Sequence, residues 1–131
     1  MFDHISIGVR ALARSMAFYD AALAPLGLTR LWDNARAAGY GPAGFEGEAP
    51  FAIIQMGDGV TLTGAGVHLA LRAADRAAVD GFYRGAVASG GQCDGPPGVR
   101  EHYNPGYYAA FVLDPDGHRL EAVVHEPVVP S

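Results

Sequence analysis

Two stretches of this chain alternate apolar with polar or small positions, and each leads into a run with helical spacing. In residues 3–9, DHISIGV, the side chains of Ile5, Ile7 and Val9 take one face and those of His4, Ser6 and Gly8 the other. In residues 67–73, VHLALRA, the same alternation sets Val67, Leu69 and Leu71 against His68, Ala70 and Arg72. Each pattern predicts a half-buried strand with its histidine opposite the aliphatic face. Leu12, Met16, Tyr19 and Leu23 then recur at helical spacing, with Pro25 and Gly27 to stop the run. Val79, Phe82, Tyr83, Ala86 and Val87 form a second stripe, which Asp75 can cap and Gly90-Gly91 can close.

The two stretches belong to a repeat. At one ungapped offset, His4 falls on His68, Phe18 on Phe82, Tyr19 on Tyr83 and Gly27 on Gly91. Strand-like pieces follow each helix: LTRLWDN, ARAAGYG and PFAIIQM in the first half, YYAAFVL and HRLEAVV in the second. Each half reads as strand, helix, then about three strands, which predicts an α+β domain over residues 1–131 with pseudo-repeats at about 1–62 and 63–131. A half of this size is a poor independent folding unit, so the two are expected to share one sheet. The segment CDGPPGVREHYNPG is expected to be one long irregular loop, of the kind that often carries function.

The end of the chain holds the sharpest local signal. DPDG between two apolar alternating runs predicts a tight turn. Centring it on Pro115-Asp116 pairs Leu113 with His118, Ala110 with Glu121 and Tyr108 with Val123. Arg119, Glu121, Val123 and His125 then share one side of the last strand, and Leu120, Ala122 and Val124 look like its core-facing set. Glu121 therefore points away from the helices, as His4 and His68 do, and Tyr108 shares its face.

Composition narrows the chemistry. The chain is half apolar, with a net charge of −5 and no lysine, every basic side chain being an arginine. Nucleic-acid binding through a basic surface is disfavoured, and Schiff-base chemistry and a phosphate-loop lysine are excluded. No apolar run suits a membrane span, and no signal-peptide pattern is seen. The single cysteine, Cys93, permits no internal disulfide and has no evident activating base. A cytoplasmic protein is the expectation. Two imidazoles and a carboxylate on one face would suit Zn²⁺, Mn²⁺, Fe²⁺ or Ni²⁺ with coordination positions left open, the mark of a catalytic ion. Spacing alone does not bring His4, His68 and Glu121 together.

DHISIGV, SMAFYDAALAPLGL, VHLAL and above all FVLDPDGHRLEAV resemble the vicinal oxygen chelate superfamily of glyoxalases, bleomycin-resistance proteins and extradiol dioxygenases. The resemblance runs over roughly residues 2–126. It implies two βαβββ modules whose sheets curve around a cavity, with helices on the outer face and a homodimer that completes the cavity. It implies a metal held by His4, His68 and Glu121, with Glu121 the catalytic carboxylate. In glyoxalase I a fourth ligand comes from the last strand of the first module, where this chain offers only Gln55. Tyr108, His102, Arg72 and Gln55 are the candidate substrate contacts. The activities implied are a metal-dependent lyase or isomerase, a thiol transferase using a thiol cosubstrate, an Fe(II) dioxygenase of catechols, or metal-free sequestration of a small molecule.

Overall fold

The computed structural model describes residues 1–62 and 64–127. Thr63, where the second repeat is expected to begin, and residues 128–131 lie outside them.

Each repeat folds as β-α-β-β-β. The first holds β1 (Ile5–Val9), α1 (Leu12–Leu23), β2 (Leu28–Asp33), β3 (Ala37–Pro42) and β4 (Phe51–Gln55). The second holds β5 (Leu69–Arg72), α2 (Arg76–Ala88), β6 (Gln92–Val99), β7 (Tyr107–Leu113) and β8 (Arg119–His125). The strand orders are β1-β4-β3-β2 and β5-β8-β7-β6, two hydrogen-bonded sheets of four strands where the sequence suggested one shared sheet. In each, the first and last strands of the module run parallel and the other neighbours antiparallel.

The helix signals act where the pattern places them. Asp75 caps α2 by accepting the Ala78 N–H at 2.8 Å. After α1, Pro25 opens a short 3₁₀ turn and Gly27 ends it at φ 78°, a left-handed conformation that glycine adopts without steric cost. Phe18, Tyr19, Leu23, Val79 and Phe82 are fully buried between the helices and the inner faces of the sheets, together with Leu120, Ala122 and Val112. The two helices approach closely at Gly85, where a Cβ would lie 2.4 Å from the Ala21 carbonyl oxygen.

The expected long loop is in part a strand. Gln92–Val99 pairs with β7 as β6, with register shifts around Gly95 and before Gly98. Pro96 and Pro97 hid it from a propensity reading, but an edge strand tolerates residues that lack an N–H donor.

Candidate functional site

The hairpin between β7 and β8 decides which side chains surround Glu121. The loop is one residue longer than expected. Asp114 and His118 close it, the Asp114 N–H donating to the His118 carbonyl at 2.9 Å, and Gly117 takes φ 103°. Glycine in that conformation at the third loop position is the signature of a three-residue hairpin loop. The register moves accordingly: Leu113 faces Arg119, Phe111 faces Glu121, Tyr108 faces Val124 and Tyr107 faces His125. The expected pairs Leu113–His118, Ala110–Glu121 and Tyr108–Val123 are each displaced by one. Because side chains alternate along a strand, Tyr108 moves to the opposite face from Glu121. Its hydroxyl donates to Asp80 of α2 at 2.7 Å, and the Arg76 guanidinium lies over its ring at 4.7 Å. Tyr107, which the sequence reading passed over, takes the place beside Glu121 and donates its phenolic O–H to Oε2.

On the face of the second sheet away from the helices, Glu121 is 1% exposed. Among the described residues its partners are Tyr107 on Oε2 and His68, whose Nε2 lies 2.9 Å from Oε1. His68, just before β5, is half-exposed on the rim. Phe111 sits between this pair and the edge strand, its ring 6.4 Å from the imidazole. A cavity of about 200 Å³ opens here, bounded by His68, Phe111, Tyr103, Asp94 and Arg119. Arg119 donates to Asp94 at 2.9 Å across its mouth. Tyr107 is clamped between the Tyr103 ring at 4.8 Å and the His125 ring at 4.9 Å. Burial, then its bond to the Glu121 carboxylate, pushes its phenol well above the ordinary tyrosine range, so it remains a donor.

The other candidates are dispersed. His102 lies in the exposed turn before β7 and stacks on Tyr103 at 4.2 Å, which ties it to the site through Tyr107. Arg72 stands exposed at the far end of β5, opposite Val123 and on the Glu121 side. Gln55 is occupied elsewhere. Its Oε1 accepts the Leu12 N–H at 2.6 Å and its Nε2 donates to the Arg10 carbonyl at 2.7 Å. It thereby caps α1, whose own N-cap residue, Ala11, offers no side-chain bond. His4 is exposed, with Nδ1 2.6 Å from Asp3, a contact that raises its pKa. Among the described residues, no three His, Cys, Asp or Glu side chains come together as one ion's ligands. His68 and Glu121 are adjacent, and His4 is not with them.

The strand registers show why only the second histidine has a carboxylate beside it on the neighbouring strand. Ser6 pairs with Ala52 in the first sheet, and its repeat equivalent Ala70 pairs with Glu121 in the second. The counterpart of Glu121 in the first module is therefore Ala52, not Gln55. The second module carries a histidine and a carboxylate at these positions, and the first carries a histidine and an alanine.

The hairpin also clasps the first module. Tyr19 of α1 donates to Asp114 Oδ2 at 2.6 Å, Arg14 donates to Asp116 at 2.9 Å, and the His118 Nε2–H donates to the Gly8 carbonyl at 2.7 Å. The two aspartates of DPDG are thus inter-module contacts as well as turn residues.

Paired β-α-β-β-β modules with a histidine–carboxylate pair on the face away from the helices define a glyoxalase-like α+β domain. The chain belongs to the Glyoxalase/Bleomycin resistance protein/Dioxygenase superfamily, whose family model matches residues 1–122. It is similar to a glyoxalase/bleomycin resistance protein from Albidiferax ferrireducens T118, with 32% identity, a TM-score of 0.78, and coverage of 96% of this chain and 98% of that one. A glyoxalase-related enzyme from Fulvimarina pelagi shows 26% identity and a TM-score of 0.70 over 94% of this chain and 86% of that one. A glyoxalase I mutant from Zea mays shares the fold at 23% identity and a TM-score of 0.69, over 93% of this chain and 45% of that chain. Among proteins with curated functional descriptions, none matches. No helix among the described residues is long and apolar enough to cross a membrane.

Proposed function

We propose that this protein is a divalent-metal-dependent enzyme acting on a small oxygen-rich molecule, of the lyase, isomerase or thiol-transferase type. The observation that carries the reading is the His68–Glu121 pair. A carboxylate 1% exposed, with an imidazole and a phenol as its hydrogen-bond partners among the described residues, is costly to bury and suited to a cation. The pair also fits the group. Two donors each about 2.0–2.2 Å from one ion stand about 3 Å apart at ordinary ligand angles, and His68 Nε2 and Glu121 Oε1 are 2.9 Å apart.

His68 and Glu121 would hold the ion, and His4 would complete the set from a second copy of the chain in a homodimer, since within one chain it stands apart from them. A bound ion supplies Lewis acidity toward substrate oxygens, stabilising an enolate, an alkoxide or a leaving oxygen; Fe(II) in the same set would suit catechol cleavage. The chain's own groups do the rest. Phe111 and Tyr103 line the cavity, Arg119 is paired with Asp94 at its edge, and Arg72 would set positive charge on the face that an anionic substrate approaches. Glu121 would hold the ion through Oε1, its other oxygen being taken by the Tyr107 phenol. One observation favours a second reading, a metal-free binding protein: within one chain His4 stands apart from His68 and Glu121, and among the described residues no three ligand side chains meet.

Titration calorimetry with Mn²⁺, Ni²⁺ and Zn²⁺ tests the choice. Stoichiometric binding by the native protein, lost in Glu121→Gln and His68→Ala and weakened in His4→Ala, is the expected result. Binding indifferent to all three substitutions, or no binding by the native protein, would leave the metal-free reading. Light scattering checks the shared site, and a monomer would remove His4 from it.

A further inference from the structure

Glu121 has two carboxylate oxygens, and the fold treats them differently. Oε1 lies against His68 Nε2, and Oε2 accepts the Tyr107 phenol. The phenol ring is packed on two sides. Its ring is fixed edge-on to His125 at 89°, and Tyr103 packs against it at 4.8 Å. Both Tyr107 and His125 are held in register by the β7–β8 ladder. Tyr108, one residue along, reaches Asp80 on the opposite face and has no contact with this carboxylate.

We propose that Tyr107 is a positioning residue for Glu121: by holding Oε2 it presents Oε1 alone beside His68, and so fixes the carboxylate as a one-oxygen donor. The inference rests on the metal reading above and deepens it. A carboxylate with both oxygens unbound can close onto an ion through both. That second bond occupies a coordination position that a substrate oxygen would need. A phenol donating to Oε2 competes for the lone pairs that such closure requires. It also orients the ligand in the way that hydrogen bonds behind ligating groups generally do. The Tyr103–Tyr107–His125 stack thus has a consequence at the carboxylate: it keeps the donor count low and the open positions open.

The test uses Co²⁺ as the probe, because its visible d–d bands weaken as coordination number rises. Full-length native protein, Tyr107→Phe and Tyr108→Phe are titrated with Co²⁺ and followed by absorbance and calorimetry. Tyr107→Phe keeps the ring in its stack and removes only the donor. It is expected to change Co²⁺ affinity by about 10- to 100-fold and to shift the spectrum toward weaker bands, the sign of an added carboxylate oxygen. Tyr108→Phe, which removes a comparable hydrogen bond on the helical face, is expected to leave the spectrum unchanged. If native protein binds Co²⁺ and Tyr107→Phe matches it in both readouts, the positioning role is overturned while the metal site stands. If native protein binds no Co²⁺, the metal reading fails and takes this role with it.

Discussion

Asp114→Ala is the most informative single change in the molecule, because one buried carboxylate serves both the hairpin and the clasp. Asp114 is 3% exposed. Its Oδ1 accepts the N–H groups of Asp116, Gly117 and His118, each at 2.9 Å, and its Oδ2 accepts the Tyr19 hydroxyl at 2.6 Å. Removing it leaves the Tyr19 hydroxyl, fully buried in the core, with no acceptor, at a cost of about 1–3 kcal/mol. The Gly117 N–H retains the Asp114 carbonyl at 3.0 Å, so the Asp116 and His118 amides bear the remaining loss, about 1 kcal/mol each. The sum is about 3–5 kcal/mol, a large part of the roughly 5–15 kcal/mol that holds an ordinary domain folded. Urea unfolding followed by circular dichroism measures it. A double-mutant cycle with Tyr19→Phe should isolate a coupling of about 1–3 kcal/mol for the hydroxyl–carboxylate bond. A loss under about 1 kcal/mol for Asp114→Ala, or additive single effects, would refute the clasp as drawn.

Two further outcomes follow from the same contacts. Burial is the leading cause that raises Tyr19 and Tyr40, followed by Asp114 for the first and by the Asp20 hydrogen bond for the second. Because their folded pKa values lie above the ordinary value near 10, their contribution to stability is whole below that pH and is lost as pH rises through the folded values. Tyrosinate absorbance should therefore rise in part below the alkaline unfolding transition and complete its rise with it; full ionisation of native protein would contradict their burial. Gln55→Ala should cost about 0.5–2 kcal/mol, as loss of a helix cap does, with metal affinity unchanged; a fall in affinity at unchanged stability would return Gln55 to the ligand set.

The element order was legible in the sequence because it rests on local physics. Period-two and period-3.6 patterning, the Asp75 cap, the Gly27 stop and the repeat register all act over a few residues, and α1, α2, β1 and β5 follow from them. The facing of His68 and Glu121 follows from strand alternation for the same reason. Tertiary structure decided what depended on a count or a distant partner. One extra residue in the DPDG loop exchanges Tyr108 for Tyr107 beside Glu121, because a strand's side chains change face with every residue; Gly117, placed third in the loop, was the signal that could have found it. β6 needed its neighbour β7 to become a strand at all, since its prolines argue against one in isolation. Gln55 was the only possible donor on its strand, yet both its polar atoms bond the start of α1, a helix end distant in sequence that Ala11 leaves uncapped. The separation of His4 from the His68–Glu121 pair is of the same kind: alternation sets which face a side chain takes, and only the packing of whole modules sets which faces meet.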